Sequence, residues 1–368
     1  MDSKFLSFFN EIEDHRMDRK KLHPLINIIA IAIGAVICKA ESWEDIHQFG
    51  LAKKEWFEKF LDLKNGIPCS DTFRRFFTAL DPSNFEECFV KWGNSIVKEI
   101  ENETINIDGK SIRRANRMNE DNPIHIVSAW ASDNEIVLGQ VRVKEKSNEI
   151  TAIPDLLDAL FVEGAVITID AMGCQKDIAK KIVDKKADYI LSLKENQPNL
   201  YDDVVRSFEN NVKSELIETE DFGHGRIENR KYYISNNLNF VHDTDSWVKL
   251  NSIIKVVSSR TDKKTSITTT ETRLYISSLK DNQRIAGSSR SHWGIENKLH
   301  WSLDVLFNED NSAKRAGNSA QNFNIINKIA INIIKKDKGN THFKGSVNSK
   351  RLRAGWSEEH FFHLMNLL

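Results

Sequence analysis

Two apolar runs that each end on an aspartate constrain this chain more than any other feature. Thr104-Ile105-Asn106-Ile107 leads into Asp108, and Ala165-Val166-Ile167-Thr168-Ile169 leads into Asp170. Both are short and rich in β-branched residues, and glycines bound them: Gly109 follows the first acid and Gly164 precedes the second run. That is the pattern of a strand. Apolar residues on both faces require cover on both faces, so these are central strands with helices packed on them. In open α/β sheets, sites form beyond the carboxyl ends of the strands. Singly, each acid has a plainer reading. Asp108-Gly109 is a favoured turn dipeptide, and Asp170 is placed to cap the next helix.

The chain around these runs changes rhythm three times. Residues 1 to 103 read as helices. Pro24 precedes the apolar run Leu25–Cys38, Ser42 with Asp45 forms a capping pair, and Pro68 to Asp71 starts a helix carrying Arg74 and Arg75. The strand at Asp108 is then followed by a polar, basic turn from Gly109 to Arg117. Ile124–Trp130 and Ile136–Val143 make a hairpin across Asp133-Asn134. Strand and helix alternate up to Leu193, and this order describes a mixed sheet with helices on it. Residues 201–283 read as a β-rich insertion. Helix returns at 284–310 and again near Asn322 to Ile334, and 346–368 is a basic tail.

Net charge is −1, with 29% charged and 40% hydrophobic residues, a globular composition. A nucleic-acid binder with this balance must concentrate its positive charge locally. The four cysteines, Cys38, Cys69, Cys88 and Cys174, have no ligand spacing and read as reduced thiols. No secretory leader is apparent. Leu25–Cys38 is shorter than the roughly 20 residues that span a bilayer.

Glu296 is the third acid of interest. It lies between Trp293 and Trp301 beside the stripe Leu299, Leu303 and Leu306, which leaves its helix little free surface. Three carboxylates on converging elements suit a hard divalent cation, and like charges brought together need one. Basic residues flank the acids: Lys110, Arg113 and Arg114 after the first, and Arg290, His292 and Lys298 around the third. Lys194, with Asn196 and Gln197, and Lys144 with Lys146 end strands of the same sheet. A competing arrangement is a metal face of Glu296, His300 and Asp304 at helical spacing, as in some other hydrolase.

These residues carry a resemblance. Ile107-Asp108-Gly109-Lys110, Lys146-Ser147-Asn148-Glu149-Ile150, Thr168-Ile169-Asp170-Ala171-Met172 with Gln175, and His224-Gly225-Arg226-Ile227-Glu228 are similar to stretches of the bacterial insertion-sequence DDE transposases of the ISAs group, which include the H-repeat-associated proteins. The longest such stretch runs from His292 to Trp301 and continues through Leu303-Asp304-Val305 to Glu309-Asp310. The resemblance implies a ribonuclease-H-like mixed sheet (104–345) with a β-rich insertion, preceded by an N-terminal helical domain (1–103). It implies two Mg²⁺ ions, replaceable by Mn²⁺, on Asp108, Asp170 and Glu296. It implies strand cleavage at element ends and transfer of the freed 3′-hydroxyl into target DNA.

The expected partners are therefore DNA, as element ends and target, and a second copy of the chain, with no membrane. The expected place is the bacterial cytoplasm, at the nucleoid when DNA is bound. Related enzymes carry tyrosine, arginine and lysine around the glutamate. Here Ser289, His292 and Leu303 occupy those places, and Arg290 or Lys298 are the candidate substitutes. The remaining alternative is a DNA-binding remnant without activity.

Overall fold

The computed structural model describes residues 3–17, 21–97, 102–113, 124–144, 147–223, 225–338 and 344–367. Arg114, Lys146 and His224 lie outside the described residues, as does most of the turn expected up to Arg117. The fold is mixed α/β. Its strands are β1 (Thr104–Ile112), β2 (Ile124–Ala131), β3 (Ile136–Arg142), β4 (Val166–Ile169), β5 (Asp188–Leu193), β6 (Glu215–Gly223), β7 (Arg226–Ser235), β8 (Ser252–Asp262) and β9 (Thr268–Ser277). Two compact units interleave in sequence. Met1–Lys98, Gly109–Lys146 and Glu296–Leu368 form the first, and Glu99–Asp108 with Ser147–Ile295 the second.

In the second unit a large mixed sheet runs in the order β1-β4-β5-β9-β8-β7-β6. β1, β4 and β5 are parallel, and the rest pair antiparallel. The parallel strands carry the continuous apolar runs that two-sided cover demands: all of β4 is buried. Val166, Ile190, Ile254, Tyr275 and Ile285 share one core cluster. The Asn282–Ser291 helix packs on β4 and β5, and the Glu149–Ala159 helix packs on the Lys176–Asp184 helix. β6 is a strand that the sequence pattern did not reveal. Its side chains are exposed along almost its whole length, so no apolar alternation marks it.

The first unit is built on two buried helices. Leu25–Ile37 follows Pro24 and is buried from Asn27 to Ile37. Ser319–Lys336 packs against it and against the Ser70–Ala79 and Pro82–Ile96 helices. Asn332 on this long helix accepts from the Val137 N–H at 2.8 Å and donates to the Val137 carbonyl at 2.8 Å, which pins the helix to β3. The Ser42–Asp45 capping box is realised in full. The β2–β3 hairpin also forms, with a register shift at Ala129/Trp130.

Two expectations are corrected in this unit. β1 does not stop at Asp108 but runs to Ile112, because Ile112 is drawn into a core with Ile126 and Ala320. The expected basic tail is two helices, Val347–Trp356 and Glu358–Asn366. Lys350 and Arg351 are buried there. Arg351 lies 3.9 Å from the Phe307 ring and donates to the Val36 carbonyl at 2.9 Å.

Candidate functional site

The β1–β4 register pairs Thr104 with Val166, Asn106 with Thr168, and Ile107 with Ile169. Asp108 and Asp170 are the next residues of the two strands. They therefore lie at the same level, Asp108 within β1 just past its last pair with β4 and Asp170 just past the end of β4. Both are half-buried.

Asp170 opens a tightly held turn. Its Oδ1 accepts from the Met172 N–H at 3.1 Å and the Gly173 N–H at 3.3 Å. A Cβ at Gly173 would lie 2.2 Å from an Ile169 methyl and 3.0 Å from Ile153, so only glycine fits there. Asn196 donates to the Ala171 carbonyl at 2.7 Å and Gln197 to the Cys174 carbonyl at 2.9 Å, bracing the turn from the loop after β5. Burial holds the Asp170 carboxyl above the usual range, and the Glu149 charge adds to this. The two backbone N–H groups and Lys194 pull the other way and do not outweigh them. A carboxylate in that position gains from a nearby cation.

Two residues before the acids is a polar chain. Asn106 Nδ2 donates to the Ser291 carbonyl at 2.7 Å, and Thr168 Oγ1 donates to Asn106 Oδ1 at 2.8 Å. Thr168 Oγ1 also lies 2.7 Å from His292 Nδ1. Further down, Thr104 and Ser288 share a hydrogen bond of 2.8 Å. The end of the Asn282–Ser291 helix is thus fastened to β1 and β4 by side chains set in two apolar strands. Burial lowers the His292 pKa to about 4, and the Arg273 charge adds to that. The Arg273 guanidinium lies 4.1 Å from the Trp293 ring.

Glu296 begins the next stretch of the first unit and is exposed, on a π-helical turn, Ile295–His300. A second π-helical turn, Ser302–Leu306, follows. Such turns are rare and recur at functional sites. Glu296, His300 and Asp304, the metal face read from helical spacing, fall across these two turns. Asp304 is also engaged: Lys110 Nζ lies 2.6 Å from it and 2.7 Å from Glu309. Burial works against the Lys110 charge, but Glu309 and Asp304 outweigh it and raise its pKa. Lys110 is therefore a clamp on the end of β1.

The other basic candidates are dispersed. Arg113 is exposed, 3.5 Å from Asp310. Lys194 is exposed. Arg290 lies 3.2 Å from Asp221, and Lys298 donates to Glu135 at 2.6 Å. Arg74 and Arg75 both pair with Asp71. Among the described residues, no three His, Cys, Asp or Glu side chains stand together as a group able to hold a metal ion. The donor set suits one in its chemistry: two half-buried carboxylates at one level of neighbouring strands offer the hard oxygen ligands that Mg²⁺ takes.

Sequence reasoning passed over Asn106 and Thr168. Their signal was present, since each lies two residues before an acid and so on the same face of its strand.

Residues 101–333 match the family described as the transposase DDE domain, and residues 6–93 match the family described as DDE_Tnp_1-associated. "Putative transposase YncI" of Escherichia coli O157:H7 is 41% identical over 357 residues, 95% of this chain and 91% of that protein. From Escherichia coli K12, "Putative protein YbfL" and "H repeat-associated putative transposase YhhI" are each 38% identical over 362 residues, 95% of this chain and 94% of each relative. No helix among the described residues is long and apolar enough to cross a membrane.

Proposed function

We propose, for a chain that belongs to the DDE transposase family, that it cuts DNA at the ends of a mobile element and joins the freed ends to target DNA. In this reading Asp108, Asp170 and Glu296 hold two Mg²⁺ ions, or Mn²⁺ in their place, within a ribonuclease-H-like core. Residues 1–103 act as an N-terminal helical domain that accompanies it. DNA is the substrate, and a second copy of the chain completes the complex.

The observation that carries this reading is the register of β1 and β4, which brings Asp108 and Asp170 to one level just past the last pair of these adjacent parallel strands. When bound, divalent ions activate a water or hydroxyl for attack on phosphorus and stabilise the leaving oxygen. The chain's own part is placement. The Asn196 and Gln197 contacts hold the Asp170 turn, the polar rung holds the strands, and Lys110 holds the outgoing end of β1. Lys194, beside Asp170, is suited to the DNA backbone. Arg113, Arg290 and Lys298 are further candidates for such contacts.

The test is cleavage of DNA bearing the element's terminal repeats. Wild type is expected to cut in Mg²⁺ and not in EDTA. Asp108→Ala, Asp170→Ala and Glu296→Ala are each expected to abolish cutting while still folding, as a cooperative melting transition shows. Full activity in any one of the three removes that residue from the assignment.

A further inference from the structure

We infer that His292 is a positioning residue and not a phosphate ligand: as a neutral Nδ1–H donor it locks the end of the Asn282–Ser291 helix to β1 and β4, at the point from which the chain continues into Glu296. The resemblance drawn from the sequence implies an arginine in related enzymes at this place, four residues before the glutamate. A histidine there invites the reading that it supplies the same positive charge.

The hydrogen-bond count argues otherwise. Asn106 Nδ2 donates to the Ser291 carbonyl at 2.7 Å, which fixes the amide with Oδ1 turned to Thr168. The opposite orientation would set two acceptors, the amide oxygen and the Ser291 carbonyl, against each other. The Ser291 hydroxyl, 3.5 Å from Asn106 Oδ1, donates to the nearer Ser288 carbonyl at 2.9 Å, so the single Thr168 hydroxyl proton is the one used on Asn106 Oδ1, at 2.8 Å. Only hydroxyl lone pairs remain for His292 Nδ1, at 2.7 Å, so Nδ1 carries a proton. The ring is half-buried, and the nearby charge is the cation Arg273. Both disfavour a second proton, so the ring stays neutral and brings no charge to a phosphate.

The chain of donors is also directional. It runs from His292 to Thr168 to Asn106 to the Ser291 carbonyl, and so closes a loop between the helix end and two strands. Thr168 and Asn106 each lie two residues before an acid of the proposed site. A slack loop would therefore move the footing of both acids and the start of the segment leading to Glu296. Misplacement of about 1 Å at such a site costs up to roughly 100-fold in rate.

The functional half of this inference rests on the transposase reading above, and the proton arrangement does not. The experiment therefore has two arms. In the first, the full chain is labelled with ¹⁵N-histidine and the His292 ring is followed by NMR from pH 8 to 5. The expected result is the Nδ1–H tautomer throughout. An Nε2–H tautomer, or titration near pH 6.5, overturns the inference.

In the second arm, His292→Ala, His292→Asn and Thr168→Val are compared with wild type in cleavage of terminal-repeat DNA and in DNA affinity as a function of salt. Asparagine keeps a donor near the place of Nδ1. The expectation is a loss of roughly tenfold or more in cleavage for His292→Ala and Thr168→Val, partial rescue in His292→Asn, and a double variant no worse than either single one. The log–log salt slope should be unchanged. A slope reduced by about 0.9 in His292→Ala is the mark of a lost phosphate contact and overturns the inference. If wild type does not cut, the transposase reading fails, and the NMR arm still decides the role of His292.

Discussion

Asp108 and Asp170 are each the first residue beyond the last paired couple, Ile107 and Ile169, of two adjacent parallel strands. The rung two residues earlier pairs Asn106 with Thr168, and these two are joined by side chains as well as by the sheet. Side chains two apart share a face of a strand. The acid pair and the polar pair are thus stacked on one face, and the polar pair ties that face to the segment that leads into Glu296. Asp170 is further held by a turn that leaves its charge poorly compensated, whereas the basic residues near the end of β1 are engaged with carboxylates of their own unit.

Asp170→Asn is expected to raise the melting temperature while abolishing cleavage. The amide keeps an acceptor for the Met172 and Gly173 N–H groups and removes a carboxylate that burial and Glu149 disfavour. The rise should be on the order of 2 °C in metal-free buffer. Differential scanning calorimetry in EDTA checks it, and a lower melting temperature would show that the carboxylate is well compensated without metal.

Asn196→Ala is expected to loosen the Asp170 turn rather than the whole fold. It deletes one hydrogen bond to the Ala171 carbonyl, worth about 1 kcal/mol. Faster amide exchange should be confined to residues 171–175, with slower cleavage and little change in DNA affinity. Hydrogen exchange read by mass spectrometry checks the first point. Uniformly faster exchange across the second unit would mean that Asn196 supports the core instead.

Much of this fold was legible in the sequence, for physical reasons. Two-sided burial forces continuous apolar runs, so the strands before Asp108 and Asp170 stood out. Ser42 and Asp45 meet because a capping box acts within four residues. What was hidden depends on distant partners. β6 is exposed along almost its whole length and shows no period. The partners of Lys110 lie about 200 positions away, at Asp304 and Glu309. The π-helical turns at Glu296 have apolar spacing that fits an α-helix equally well. The acids at β1 and β4 stood out in the sequence, and the polar rung below them did not, because Asn106 and Thr168 meet each other and Ser291 only through the fold.

Gly93→Ala tests the packing of the first unit. Gly93 lies in the Pro82–Ile96 helix, and a Cβ there would come within 2.5 Å of the Leu138 carbonyl oxygen on β3. The obstacle is backbone, so relief requires moving the helix off the hairpin. A loss of roughly 1–3 kcal/mol is expected from urea unfolding. The helix-propensity gain of alanine over glycine, about 1 kcal/mol, offsets part of it. Unchanged stability would mean that the helix can shift at no cost.

Lys328 gives the first unit a pH dependence of its own. The side chain is buried in the Ser319–Lys336 helix and donates to Ser128 Oγ at 2.7 Å. Burial lowers its pKa to about 7, against the partial support of the Glu309 and Glu86 charges. In the unfolded chain a lysine titrates near 10.4. Between those two values the unfolded chain holds a proton that the folded chain has released, so stability rises with pH across that window. Below about pH 7 both states are protonated and the folded state bears the full cost of the buried charge. Lys328→Met removes this titration. It is expected to be the more stable protein at pH 7, provided the Ser128 hydroxyl oxygen finds another donor, and Ser128→Ala in the same background removes that condition. As pH rises from 7.5 to 9.5, wild type should close the gap by up to about 2.5 kcal/mol, at no more than about 1.4 kcal/mol per pH unit. Urea unfolding of both proteins at several pH values reads this difference directly, and parallel stability curves would mean that Lys328 keeps its proton in the folded state.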